Sequence, residues 1–219
     1  MIPKALLSWS TGKDSAYALA EVRRTGEVEI VGLLTTVTRN VDRVSMHGVR
    51  RSLLHQQAAA AGLPVRTVEI PSPCPNAVYE QAFASELTHA REAGITHVVF
   101  GDLFLADIRH YREAQLASLG MIGAFPLWGR DTSALAREMV TSGMRATLTC
   151  IDPRQLDRSF AGRVFDEALL DELPGGVDPC GERGEFHTFA TQGPMFAHAI
   201  DVTAGEIVER DGFVFADLW

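Results

Sequence analysis

Apolar and polar positions change period repeatedly along this chain, and the changes mark out alternating strands and helices. Residues 5–9 form a short apolar run that ends in a Ser/Thr/Gly turn, the pattern of a buried strand. Residues 15–24 set Ala16, Leu19, Ala20 and Val22 at near-helical spacing, and Gly26 supplies a stop. A β-branched run predicts a second strand at 30–37. A helix at 49–61 closes at Gly62 and Pro64. Further strands are expected at 65–70, 96–100, 124–128 and 146–151. Further helices are expected at 76–93, 107–119 and 132–142, the last capped by Asp131.

This order predicts an α/β fold, a parallel twisted sheet with helices on both faces. Such sheets bind ligands outside the carboxyl ends of their strands. The loops after Trp9, Val37, Gly101 and Trp128 should therefore share one edge. Beyond residue 151 the pattern changes. Residues 165–173 read as a short helix, and 174–184 are rich in Gly and Pro. Phe196, His198, Ile200 and Val202 alternate as in a strand. Two apolar runs, 207–210 and 213–216, flank Asp211-Gly212, a two-residue hairpin signal. The expected organisation is a body, residues 1–151, and a small mixed α+β lobe, residues 152–219, capping the strand ends.

Composition narrows the class. Of 219 residues, 46% are hydrophobic and 22% charged, a mix that supports an ordinary buried core. The net charge is −8, which argues against a nucleic-acid coat or a binder of anionic membranes. The charge is uneven. Residues 1–162 carry 17 basic and 16 acidic side chains, whereas residues 163–219 carry 3 and 12. Any anion site therefore belongs in the first three quarters. The longest uncharged run, 114–129, is too short and too polar to span a bilayer, and the opening residues 1–9 are too short for a secretory core. Cys74, Cys150 and Cys180 form neither a disulfide framework nor a zinc motif, so a cytoplasmic location is expected. Neither nucleic acid nor membrane is expected as a partner.

The turn after the first strand reads Ser10-Thr11-Gly12-Lys13-Asp14-Ser15 and opens the first helix. A helix mouth offers unpaired N–H groups and a partial positive charge, a natural phosphate site. Gly12 allows close backbone approach, three hydroxyls can donate, and Lys13 (one of only two lysines, with Lys4) adds charge. The competing reading is a plain capped helix start. The P-loop and dinucleotide motifs both fail, because Gly12 is the turn's only glycine and Asp14 follows Lys13. The string resembles the S-G-G-x-D-S motif of the PP-loop ATP pyrophosphatases, with Thr11 in place of the first glycine. That resemblance implies a loop that holds ATP phosphates and an acidic residue that helps place magnesium. It also implies cleavage of ATP to AMP and pyrophosphate.

A second unusual stretch, residues 178–189, packs two glycines, a proline, three carboxylates and His187 into twelve positions. Within it, Gly181-Glu182-Arg183-Gly184-Glu185-Phe186-His187-Thr188 resembles the G-E-x-G-E-[FY]-H-T motif of the diphthine–ammonia ligase family, an adenine nucleotide alpha-hydrolase type. Gly101-Asp102, Arg109–Glu113 and Phe125–Trp128 resemble the family's middle region, closer to its bacterial branch. The resemblance covers nearly the whole chain. It implies an ATP-dependent enzyme that adenylates a carboxylate and forms an amide with ammonia or ammonium. The acceptor carboxylate, protein-bound or small, is left open.

On this reading Ser10, Thr11, Gly12, Lys13, Asp14 and Ser15 bind ATP. Asp14 helps hold Mg2+, because ATP brings about four negative charges to an acidic protein. Thr35, with Leu34 and Thr36 at the end of the second strand, is a candidate for adenine through backbone groups, with an ordinary buried strand end as the alternative. Gly101 and Asp102, at the end of the fourth strand, are candidates for nucleotide, with a turn cap as the rival role for Asp102. Arg109 and Arg112 are candidates for phosphate or acceptor, or for ordinary ion pairs. Glu182 and Glu185 are expected at the acceptor site, with Glu185 a base for ammonium. His187 would orient a carboxylate or sit satisfied in the core, and His47 would reach the cleft. Cys180 is expected to be inert. Phe104, Phe125 and Trp128 are candidates for a homodimer face, with buried core as the alternative. Two other classes stay in view: a PP-loop RNA-modifying enzyme, against which the acidic tail argues, and a nucleotide-sensing protein without turnover, in which the Gly-Glu loop has no use.

Overall fold

A computed structural model describes residues 2–219. Its strands are β1 (Lys4–Ser8), β2 (Glu29–Thr38), β3 (Arg43–Val44), β4 (Val65–Ile70), β5 (His97–Val99), β6 (Ile122–Ala124), β7 (Arg145–Ile151), β8 (Phe186–Gln192), β9 (Ala204–Arg210) and β10 (Phe213–Leu218). Its helices are α1 (Lys13–Thr25), α2 (Arg51–Ala61), α3 (Asn76–Glu92), α4 (Ala106–Ser118), α5 (Thr132–Thr141) and α6 (Glu167–Glu172). Among the described residues no helix is long and apolar enough to cross a membrane.

The first sheet is parallel in the order β4-β2-β1-β5-β6, with β3 antiparallel on the end of β2. The chain runs from β1 outward to β2 and β4, then returns to the other side of β1 for β5 and β6. The loops after β1 and β5 therefore diverge, which opens a crevice at that switch point. Alternation along β1 feeds two cores. Ala5 and Leu7 pack with α1 and α2 residues, while Leu6 packs with Phe83, Leu87 and Leu116 of α3 and α4. Helices α1 and α2 stop at Gly26 and Gly62, both in the left-handed region that a chiral side chain resists.

The second sheet is antiparallel in the order β8-β7-β10-β9. Its strand β7 corrects the expectation that residues 146–151 extend the parallel sheet. The predicted strand at 124–128 is also displaced: β6 is Ile122–Ala124, and the next residues turn, with the Trp128 N–H donating to the Phe125 carbonyl at 3.1 Å. Pro126 brings no N–H to a ladder. The alternating residues 196–202 form no strand. Their amides are spent irregularly, Ala197 on the Ala60 carbonyl and Ile200 on the Thr191 carbonyl. The strand instead is β8, inside the second motif. The Asp211-Gly212 hairpin forms with both residues at positive φ (53° and 81°), as a tight right-twisted turn requires.

One apolar cluster contains Leu7, Leu19 and Leu53 from the body and Leu148, Phe186, Phe189 and Val214 from the second sheet. Phe186 and Phe189 are fully buried, each worth about 1.5–3 kcal/mol against exposure. The two sheets thus share a core, and this fixes how the two motifs face each other.

Candidate active site

The loop after β1 is held from outside. Thr11 sits at φ +71°, a conformation that costs a non-glycine residue about 1–2 kcal/mol. Its carbonyl accepts from the Ala190 N–H and from Gln57 Nε2, both at 3.0 Å. Gln57 also accepts from Trp9 Nε1 at 2.9 Å and donates to the Ala190 carbonyl. Fully buried, Gln57 is the residue sequence reasoning missed. The signal was there: it interrupts the apolar stripe Leu53, Leu54, Ala58, Ala61 of α2. The Ser10 and Ser15 hydroxyls lie 3.2 Å apart, and Ser15 Oγ donates to the Gly12 carbonyl. Among the described residues, neither the Asp14 nor the Ser15 amide donates to a backbone carbonyl, so the helix mouth keeps free N–H groups.

The second motif holds itself. Gly181 and Gly184 are left-handed (φ +69° and +84°), and a Cβ on Gly181 would lie 2.8 Å from the Phe186 carbonyl oxygen. Two buried carboxylates brace the turns between them. Glu185 accepts from the Asp178 and Arg183 amides at 3.0 and 2.9 Å, and Asp178 accepts from the Glu182 amide at 2.9 Å. Glu185 is 2% exposed and faces this loop, not the cleft. Glu182 does face the cleft. Its Oε1 accepts from the Leu103 N–H at 2.8 Å, just beyond β5. Burial, reinforced by the Asp14 and Asp102 carboxylates, pushes its carboxyl up to about 7.

Lys13 joins the two motifs. Its N–H donates to Thr188 Oγ1 at 3.0 Å. Its ammonium donates to both Asp14 oxygens, at 3.0 and 2.9 Å, and to the Cys180 carbonyl. The ammonium also lies 5.5 and 5.3 Å from the Phe165 and Phe186 rings. Burial opposes its charge, but the charge and hydrogen bonds of Asp14, with smaller contributions from Cys180 and Glu182, more than offset this and raise it above the ordinary lysine value. Gly101 completes the junction. A Cβ there would meet the Asp14 carbonyl carbon at 2.8 Å and the Ser15 nitrogen at 2.9 Å, so only glycine lets α1 start against the end of β5.

Between these parts lies a cleft of about 220 Å3, lined by Ser10, Asp14, Ser15, His47, Asp102, Arg112, Glu182 and His187 among others. The His47 and His187 rings are 4.7 Å apart, and His47 Nδ1 is 3.1 Å from the Thr188 carbonyl. Burial lowers them to about 3 and about 4, so both are neutral at pH 7. Thr35 is buried within β2 with an unpartnered hydroxyl and does not line the cleft. Burial pushes the Cys180 thiol far up, as an inert cysteine requires. Phe104, Phe125 and Trp128 are half-buried, and Arg109 stacks over the last two at 4.7 Å from each.

Two sequence families match this chain. A family described as the diphthamide synthase N-terminal domain matches residues 3–121, and one described as the diphthamide synthase C-terminal domain matches residues 131–216. Among similar proteins, a Danio rerio protein named diphthine–ammonia ligase is 29% identical, over 94% of this chain and 89% of its own length. A Homo sapiens protein of the same name is 27% identical, over 94% of this chain and 85% of its own. A Schizosaccharomyces pombe protein of that name is 33% identical over 42% of this chain and 16% of its own.

Proposed function

The chain belongs to the diphthamide synthase family, and from that premise we propose that it is an ATP-dependent ligase that adenylates a carboxylate and converts it to an amide with ammonia. The observation that carries the reading is Lys13, which ties the mouth of α1 to the second motif, its amide to Thr188 of β8 and its ammonium to the loop bearing Glu182. A phosphate-binding helix start and a carboxyl that titrates near neutrality thereby face one cleft. In the division we propose, residues 1–151 form the ATP-binding body and residues 152–219 the acceptor-facing lobe, whose sheet is completed by β7.

In the first step the acceptor carboxylate oxygen attacks the α-phosphorus, the α–β bond breaks, and pyrophosphate leaves. The Asp14 and Ser15 amides and the Ser10 and Ser15 hydroxyls serve the phosphates; Gly12 instead makes room for His47, whose Cε1 would lie 2.8 Å from a Cβ at that position. In the second step ammonia attacks the acyl carbon and AMP leaves with both C–O electrons. Glu182 takes the proton lost by the attacking nitrogen, and its value of about 7 suits a base that works near neutral pH. The neutral His47 and His187 rings offer nitrogen acceptors beside it. Glu185 acts as a positioning residue through its hold on the Glu182 turn.

Mg2+ takes one or two carboxylates and fills its remaining positions with substrate phosphates and water. Among the described residues no cluster of three acidic, His or Cys groups would cage a metal unaided. Asp14, partly exposed at the helix mouth, fits the single-carboxylate arrangement and would hold the ion against ATP. Bound there, the ion would supply counter-charge to the phosphates.

The test is product analysis with ATP, Mg2+, ammonium and a panel of carboxylates. AMP and pyrophosphate in equal amounts are expected, and ADP with inorganic phosphate would reject the reading.

A further inference from the structure

The cleft is lined by two cationic side chains, Lys13 and Arg112, and they are not equally available. The Lys13 ammonium has three donors and three oxygen partners, two on Asp14 and one on Cys180. It is 1% exposed, with two phenyl rings beside it. Nothing is left for a phosphate unless the junction of the two motifs comes apart. Arg112 is the opposite case. Only its Nε is engaged, at 3.1 Å from Asp102, and its guanidinium lies 4.5 Å from the Phe100 ring. Phe100 is itself stacked on Phe125 at 5.4 Å, which anchors the platform. Among the described residues the two terminal nitrogens of Arg112 have no hydrogen-bond partner, and they belong to a side chain that is 27% exposed at the cleft wall.

We infer that Arg112, not Lys13, is the cation that grips the leaving pyrophosphate portion of ATP, while Lys13 is a clamp between the two motifs. The chemistry fits the geometry. A guanidinium fixed through Nε and one face presents a planar pair of donors, the arrangement that matches two phosphate oxygens at once. Because the fork is already ordered, little side-chain entropy is lost on binding. Asp102 orients the fork and partly neutralises it until the phosphates arrive.

The inference rests on the proposed ATP reaction, and calorimetry with ATP, pyrophosphate and AMP separates the two. Arg112→Gln is expected to weaken ATP and pyrophosphate binding by about 10–100-fold, the worth of a charge-assisted phosphate contact, and to leave AMP within about twofold. Arg112→Lys, which keeps the charge but not the fork, should fall between. If wild-type protein binds none of the three, the proposed function itself fails. If wild-type binds ATP and Arg112→Gln binds it equally well, or loses AMP and ATP alike, the assignment of Arg112 to the pyrophosphate is overturned. A melting temperature for each variant within about 2 °C of wild type keeps the comparison to folded protein.

Discussion

The two glycine-bearing loops that meet at Lys13 keep their shapes by opposite means. The loop after β1 borrows its restraints: Gln57 from α2, Ala190 and Thr188 from β8. It carries backbone strain at Thr11 and leaves amides unspent. The loop of residues 178–185 is braced mainly from within, with Asp178 and Glu185 consuming three of its amides and two glycines supplying its left-handed turns. A binding loop needs spare donors, so few of its own amides can also hold it together. The rigid loop carries the opposite burden, which is to present one side chain, Glu182, at a fixed place. Neighbouring carboxylates in one motif therefore do different work: Glu185 builds the loop and Glu182 uses it.

Removing Glu185 should have the largest effect. Glu185→Ala leaves the buried Asp178 amide and the partly buried Arg183 amide without acceptors. It should lower the unfolding free energy by about 3 kcal/mol, two charge-assisted bonds' worth. Glu185→Gln should recover part of that. Glu182→Gln should not lower stability, because an amide oxygen still accepts from Leu103. Urea denaturation of the three variants at pH 7.5 decides. Equal losses at both positions would erase the distinction between the two carboxylates.

The next effect separates two glycines that look alike in sequence. Gly181→Ala must hold a positive φ and also push a Cβ into the Phe186 carbonyl, whereas Gly184→Ala meets open space. The expected costs are about 2–3 kcal/mol at position 181, strain plus overpacking, and about 1 kcal/mol at position 184, strain alone. Thermal melts read the difference. Indistinguishable melting temperatures would mean that the turn at Gly181 relaxes freely.

A smaller effect is expected from pH. Burial raises Glu182 from 4.5 to about 7, so between those values the native chain keeps a proton that the unfolded chain has lost. Its contribution therefore declines as pH rises through that window. His47 and His187 act in the other direction. Lowered from 6.5 to about 3 and about 4, they stay neutral while the unfolded chain protonates, and stability is lost as pH falls below about 6.5. Stability measured from pH 4 to 8 should lose its falling limb in Glu182→Gln and become less acid-sensitive in His187→Gln. The kcat/KM for amide formation should rise through about pH 7 in wild type and lose that inflection in Glu182→Gln. An unchanged inflection would remove Glu182 as the base.

Much of this contrast was legible beforehand, and the failures have physical causes. The parallel body followed from hydrophobic period and from stops such as Gly26 and Gly62. The hairpin at Asp211-Gly212 followed from turn chemistry. The partners of β7 were not legible, because a buried strand reads the same in either sheet. Residues 196–202 alternate in sequence, yet Phe196, Ile200 and Val202 reach the core from an irregular segment while His198 is exposed. In the site, the two motifs announced themselves, and Gly101 reads as a forced close approach once α1 is in place. The split between Glu182 and Glu185 could not be read from spacing. It depends on which way each side chain leaves a loop that turns twice at glycine.

The smallest effect tests the strained side of the comparison, at Thr11. Replacing it with glycine relieves about 1–2 kcal/mol of left-handed strain. It also removes a buried hydroxyl that has no hydrogen-bond partner. Against this stand the greater freedom of glycine in the unfolded chain, about 0.4–1 kcal/mol, and the loss of a buried methyl, about 0.8 kcal/mol. Thr11→Gly should therefore lie within about 1 kcal/mol of wild type and bind ATP within about threefold. Thr11→Val keeps the shape and the strain but drops the orphaned hydroxyl, so it should gain about 1 kcal/mol. Chemical denaturation of both variants, with ATP titrations alongside, measures this. A loss above about 2 kcal/mol in Thr11→Gly would mean that the outside restraints, Gln57 and Ala190, do not suffice to hold the loop.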